Sequence, residues 1–187
     1  MFTLTTKPAC EVFSVRPLNK TSDRSIIRNI FRQEFYGDSP KLYPDDGLWE
    51  IYERIDTRDV FGAYLVCEGD TVLFLLETHP PVQMDLAGEY LLQKEEIGIY
   101  CFFQSPGVAA NLPALSACID SLLNYPSIRR IITSLGYIAP NEPKAILLKK
   151  TGFERHPGST DKLSIYQCNR ESFLRATRAA ESSLVTH

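Results

Sequence analysis

The sequence predicts a mixed α/β (α+β) fold with a mostly antiparallel sheet of six or seven strands. Three observations point there. Residues 60–68 (VFGAYLVCE) and 71–78 (TVLFLLET) are apolar runs of strand length joined by Glu68-Gly69-Asp70, which reads as a tight hairpin. Residues 97–103, 112–123 and 128–134 read as strand, helix and strand. That βαβ-like order makes its two strands parallel. The 187-residue chain shows no repeat, linker or low-complexity segment, so a single domain with a core over about 11–169 is expected.

Taken in order, residues 1–10 read as an arm or loop, and residues 11–16 (EVFSVR) alternate as a first strand. Ser22 is a candidate N-cap with Asp23 behind it, and Ile26, Ile27, Ile30, Phe31 and Phe35 form a helical apolar stripe. A second helix is expected from Pro44 or Asp45 to about Ile55, with Trp49 and Tyr52 inward. After the hairpin, His79-Pro80-Pro81 opens a long irregular connection in which residues 85–92 predict a short helix. The fourth strand follows at 97–103. The next helix places Leu112, Leu115, Ile119, Leu122 and Leu123 on one face. Beyond the fifth strand, residues 143–150 predict a helix that Gly152 closes in the left-handed conformation. Residues 153–155 and 162–168 read as the last strands around a His156-Pro157-Gly158-Ser159 turn, and residues 171–181 as a final helix.

Composition narrows the chemistry. The net charge is −3 and no basic run interleaves with aromatics, which argues against nucleic acid as a partner. No apolar stretch approaches the roughly 20 residues of a membrane span, and the N-terminus lacks a signal-peptide core, so a cytoplasmic protein is expected. Five cysteines (10, 67, 101, 118 and 168) include no Cys-x-x-Cys pair, and three histidines have no zinc-ligand spacing with them. Buried free thiols and no metal are the expectation.

Between the fourth strand and its helix lies Gln104-Ser105-Pro106-Gly107-Val108-Ala109. A strand, a small-residue turn and a helix put backbone N–H groups and a positive dipole end together, which suits a phosphate. The stretch resembles the pyrophosphate-binding motif of the GNAT superfamily of acyl-CoA N-acyltransferases: Gln or Arg, two variable residues, Gly, one variable residue, then Gly or Ala. A second match is Asn141, a short helix and then Gly152-Phe153. The order of elements is also similar to that fold over residues 11–169.

The resemblance implies a sheet with helices on both faces and with the fourth and fifth strands splayed apart. It implies acetyl-CoA as co-substrate, an amine-bearing acceptor and a possible homodimer. Backbone groups of Cys101, Phe102 and Phe103 would hold the pantetheine arm, with Asn141 on that side. Gln104 and the amides of Gly107, Val108, Ala109 and Ala110 would hold the pyrophosphate; Pro106 has no N–H to give. Glu77, Glu96 and His79 are candidate bases, although each carboxylate could equally be a solvated strand end and His79 a structural residue. Three departures stand out. Leu148 occupies the position of the Tyr that many members use to protonate the leaving thiolate, so Tyr137 or a water would have to act. No Lys or Arg lies between Gln104 and Ile128. Asn111-Leu112-Pro113 reads independently as a helix start, whereas the family starts nearer Val108. An N-acetyltransferase is thus expected, with a catalytically weak acyl-CoA-binding or interaction module and an unrelated α/β domain as the alternatives.

Overall fold

The structure is a computed structural model that describes residues 2–3, 13–19, 21–31, 60–80, 85–86, 90–104, 107–135, 142–160 and 163–184. The strands are β1 (Phe2–Thr3), β2 (Phe13–Pro17), β3 (Gly62–Glu68), β4 (Thr71–His79), β5 (Asp85–Leu86), β6 (Tyr90–Leu91), β7 (Glu96–Phe103), β8 (Arg130–Leu135), β9 (Glu154–Arg155) and β10 (Ser164–Asn169). The helices are α1 (Arg24–Phe31), α2 (Val108–Leu123), α3 (Pro143–Lys150) and α4 (Arg170–Leu184). The second helix expected near residues 44–55, Tyr137 and Asn141 lie outside the described residues. The chain divides into two compact units, Met1–Thr78 with Tyr100–Pro106, and His79–Ile99 with Gly107–His187.

In the first unit β2, β3 and β4 pair antiparallel in sequence order. The predicted hairpin is present: Glu68 pairs with Thr71 across Gly69-Asp70, and Gly69 takes φ +56°. Glycine accepts that left-handed backbone without strain. Residues 1–10 are not wholly a loop, because Phe2 and Thr3 pair with Val15 and Ser14. Backbone pairing to a strand edge needs no sequence pattern in so short a segment. α1 buries Ile27, Ile30 and Phe31 against Ala63, Leu65, Cys67 and Leu75, as its stripe predicts. Phe102 joins this cluster edge-on to Phe31, centroids 5.1 Å apart. The helix starts one residue later than the Ser22 reading, since Ile27 N–H donates to the Asp23 carbonyl.

In the second unit β7 and β8 are parallel, as the βαβ-like order requires. Among the described residues their ladder covers only Glu96↔Arg130, Ile97↔Ile131 and Gly98↔Ile132. β8 continues to Leu135 with β10 antiparallel on its other side, and β9 pairs with β10. α2 buries Ala114, Leu115, Cys118, Ile119, Leu122 and Leu123, while Leu112 stays partly exposed. α3 spans the predicted residues and ends in a Schellman arrangement: Phe153 N–H donates to Leu148 O and Gly152 N–H to Lys149 O. Gly152 has φ +88°, and a Cβ there would lie 2.7 Å from the Phe173 Cα. The helix expected at 85–92 is instead two short strands, Asp85 pairing with Leu91 and Leu86 with Tyr90. Helix nucleation is costly for so short a segment, which leaves these residues free to pair as strands.

Candidate functional site

α2 opens directly after Gly107, which is its N-cap in extended conformation (φ −62°, ψ 114°). Among the described residues no side chain caps this end, and no acidic residue lies in the first turn. The N–H groups of Val108, Ala109 and Ala110 are therefore the orphan donors of the helix. Gly107, Ala109 and Ala110 are exposed. Asn111 is not the cap. It lies inside the first turn, 2% exposed, and gives both its backbone N–H (3.3 Å) and its Nδ2 (2.8 Å) to the Gly107 carbonyl. A capping Asn accepts from the helix amides; this one donates backwards and holds the N-cap carbonyl. Pro113 is tolerated within the helix. The carbonyl it leaves without a helical donor is that of Ala109, an exposed residue of the first turn.

The end of β7 carries Cys101, Phe102 and Phe103, with Gln104 next in the chain. Gln104 N–H donates to Leu73 O at 2.9 Å. Strand alternation then turns the main-chain groups of Phe103 and Cys101 away from β4 and those of Phe102 toward it. Cys101 and Phe103 side chains are buried, and Phe103 packs on Phe74 at 5.2 Å between centroids. The Gln104 Oε1 is buried and receives no hydrogen bond from the described residues. A polar atom in that state is one that a ligand group can satisfy.

Of the candidate bases, Glu77 is 9% exposed on β4, paired with Ala63, and His79 is the partly buried last residue of that strand. Glu96 is more enclosed, at 2%. Its Oε2 accepts from the Tyr90 hydroxyl at 2.9 Å and from the Gln93 N–H at 2.8 Å. Arg130, its register partner on β8, brings Nη2 to 3.1 Å from Oε1 as an ion pair. That guanidinium is not aligned for a hydrogen bond, and Oε1 receives none from the described residues. Gly98, two residues on and on the same face of β7, adds no side chain beside it.

Tyr90 also meets His156 ring to ring at 4.9 Å, edge against face. His156 Nδ1 accepts the Gly158 N–H at 2.9 Å, which places its neutral-form proton on Nε2. Burial lowers the His156 pKa; Glu96 pulls it up and Arg130 adds to the lowering. Burial, the hydrogen bond to Glu96 and that carboxylate's charge push the Tyr90 phenol up to about 12, against a small lowering by Arg130. Tyr90 is therefore a donor throughout the neutral range. Sequence reasoning nominated Glu96 but not Tyr90, Arg130 or His156. Their signal is tertiary: the long connection, the β9–β10 turn and a strand start converge on one carboxylate. The described residues hold no three His, Cys, Asp or Glu side chains grouped as a metal site. Leu148, at the position of the family's Tyr, is 4% exposed in α3.

No family model matches this sequence, and no curated protein sequence matches it. Solved structures do. An uncharacterized protein from Bacillus halodurans superposes with a TM-score of 0.73 at 13% identity, covering 94% of this chain and 93% of that one. The aminoglycoside acetyltransferase AAC(6')-Ib, crystallised with coenzyme A, gives 0.62 at 14% identity over 87% of this chain and 98% of its own. A spermidine N-acetyltransferase SpeG chimera from Vibrio cholerae and hSSAT gives 0.59 at 15%, covering 87% and 98%. With its mixed sheet, the parallel pair β7–β8 within it and these neighbours, the protein has a GNAT-type fold.

Proposed function

We propose that the chain is an acyl-CoA N-acyltransferase that moves an acetyl group from acetyl-CoA to an amine. The observation that carries this reading is the start of α2: a helix pole with no capping side chain among the described residues and no first-turn acid, on exposed small residues. Such a pole suits a diphosphate. Support comes also from the fold, which is similar to that of the AAC(6')-Ib complex with coenzyme A. In this reading the amides of Gly107, Val108, Ala109 and Ala110 take the pyrophosphate with Gln104 beside them. The main-chain groups of Cys101 and Phe103, turned away from β4, take the pantetheine arm with Asn141, whereas those of Phe102, turned toward β4, do not.

Chemistry requires a neutral amine, since the ammonium has no lone pair to attack the thioester carbon. Glu96 is the base we assign to that deprotonation, with Glu77 and His79 as the other candidates. Its Oε1 receives no hydrogen bond from the described residues, and the Arg130 guanidinium stands 3.1 Å from it as an ion pair. Collapse of the tetrahedral adduct then expels the thiolate. Leu148 offers no proton for it, so Tyr137 or solvent supplies one. A second reading, an acyl-CoA-binding module of low turnover, is favoured by that one substitution. Thiol release over an amine panel separates the two.

The test of the phosphate seat is Gly107→Asp. Aspartate is a strong N-cap, so the variant should gain stability, by about 0.5–1 kcal/mol. The same carboxylate occupies and neutralises the donors that a diphosphate needs. Acetyl-CoA affinity by calorimetry should drop by at least about tenfold, the order expected from losing charge-assisted hydrogen bonds. Wild-type affinity in a stabilised variant would remove the seat from α2.

A further inference from the structure

We propose that α4 is a docking face for a second copy of this chain: its row Glu171, Leu174, Arg175 and Arg178 pairs antiparallel with the same row of the partner, Glu171 against Arg178 in both directions. The inference goes beyond acyl transfer and stands whether or not that reading does. The four residues lie at i, i+3, i+4 and i+7, on one face of the helix. Ser172 and Phe173 are buried, whereas all four of the row are exposed, Leu174 to 40%. Together they line a hollow of about 330 Å³. Leu174 is one of two large apolar side chains exposed among the described residues. Beyond it, every residue from Thr177 to Ser182 is exposed as well. Helical turns without a buried face are marginal alone, so a neighbouring helix along them supplies support that the body does not.

Charge names the occupant. Arg175 is engaged within the chain, by Glu154 at 3.0 Å and Glu171 at 3.1 Å, and Arg170 by Asp120. Arg178 has no carboxylate partner among the described residues, and Glu171 uses only Oε1. The row therefore ends in a spare carboxylate oxygen at one end and a spare guanidinium at the other. A two-fold axis between Leu174 and Arg175 sets Glu171 opposite the partner's Arg178 and Leu174 opposite the partner's Arg175, and repeats both contacts by symmetry. Leu174 then packs on the aliphatic stem of that arginine. A parallel pair in register would set Glu171 on the partner's Glu171 and Arg178 on the partner's Arg178, like on like, so charge selects the antiparallel arrangement. Because α4 begins at Arg170, two copies overlap over about ten residues, or ~15 Å of helix. That contact is smaller than the ~1,200 Å² of a stable interface, and its ion pairs are exposed. The dimer is accordingly weak and reversible, with a Kd of roughly tens of micromolar.

The experiment is sedimentation equilibrium of the full chain at low salt, from about 10 to about 500 µM, a range that spans such a Kd. The wild type should pass from monomer to dimer and no further, since a two-fold contact closes on itself. Glu171→Arg and Arg178→Glu each place like charges at both symmetric contacts, and each should weaken the dimer at least about tenfold. An equimolar mixture of these two variants restores opposite charges at both contacts and should dimerise as the wild type does. The double variant Glu171→Arg/Arg178→Glu exchanges the charges within one chain and should also dimerise. Both positions are exposed, and circular dichroism of each variant confirms that the chain is folded. Recovery in the mixture and in the double variant also shows that the single changes act through charge and not through misfolding. A wild type that stays monomeric throughout overturns the proposal and leaves this face to a different partner. A dimer that survives both single reversals, or one that neither the mixture nor the double variant restores, overturns it too.

Discussion

Asp23 does two things at once. Its carbonyl takes the first helical bond of α1 from Ile27 N–H, while its carboxylate takes two bonds from Arg16, at 2.6 and 2.8 Å, and one from Asn19 N–H at 2.7 Å. Burial pushes its pKa up, but the Arg16 and Asn19 bonds outweigh that and leave it below the ordinary carboxylate value. The sign follows: the stabilisation is complete above the unfolded value of about 3.9 and is lost as pH falls toward the lowered folded value. Asp23→Asn should cost about 1–2 kcal/mol in urea unfolding at pH 7, the lower end for a charge-assisted pair because Arg16 is about a third exposed. It should also flatten the acid limb of stability below pH 4. The sequence pointed one residue away, to Ser22, because a cap motif is read locally and Arg16 reaches Asp23 from β2. Glu96 was obscured in the same way. A Glu at a strand start reads as solvated, and only the fold brings Tyr90, Gln93 and Arg130 around it.

Among the elements, α2 was the most legible in content and the least in its start. Its buried face was set by Leu115, Ile119, Leu122 and Leu123, spaced three and four apart. Asn111-Leu112-Pro113 competed for the start, and the burial of Asn111 decided it: a 2% exposed amide donating to Gly107 O belongs inside the first turn. The close of α3 was legible from chemistry alone, since Thr-Gly-Phe supplies a left-handed residue followed by an apolar one. What the sequence hid was the packing. Gly152 faces the backbone of α4, with the Ser172 carbonyl and Phe173 Cα both 2.7 Å from an added Cβ. Gly152→Ala therefore combines left-handed strain with a clash against main chain that cannot rotate away. We expect a loss of about 3 kcal/mol by thermal or urea unfolding, more than an exposed left-handed glycine such as Gly69 would show. The β5–β6 pair was misread as a helix because the eight residues 85–92 are too few to separate a helical period from a strand's.

For the whole molecule, the order of elements was readable because hairpins and the βαβ-like unit are local in sequence, and both are present in the two compact units. Which residues meet around Glu96 was not readable, because Tyr90, Glu96, Arg130 and His156 come from four elements that no spacing rule links. The start of α2 carries one more consequence. Nothing between Gln104 and Ile128 bears a positive charge, so a diphosphate seated there would be held by amide dipoles at contact distance. Mobile ions act on separated charges over a Debye length of about 8 Å at physiological salt, and hardly at all on hydrogen bonds within 3 Å. Acetyl-CoA affinity, measured by calorimetry from 50 to 500 mM NaCl, should change by less than about threefold. An arginine-lined seat would lose far more over that range. If so, this fold would bind its thioester carrier with equal ease in dilute and in brackish solution.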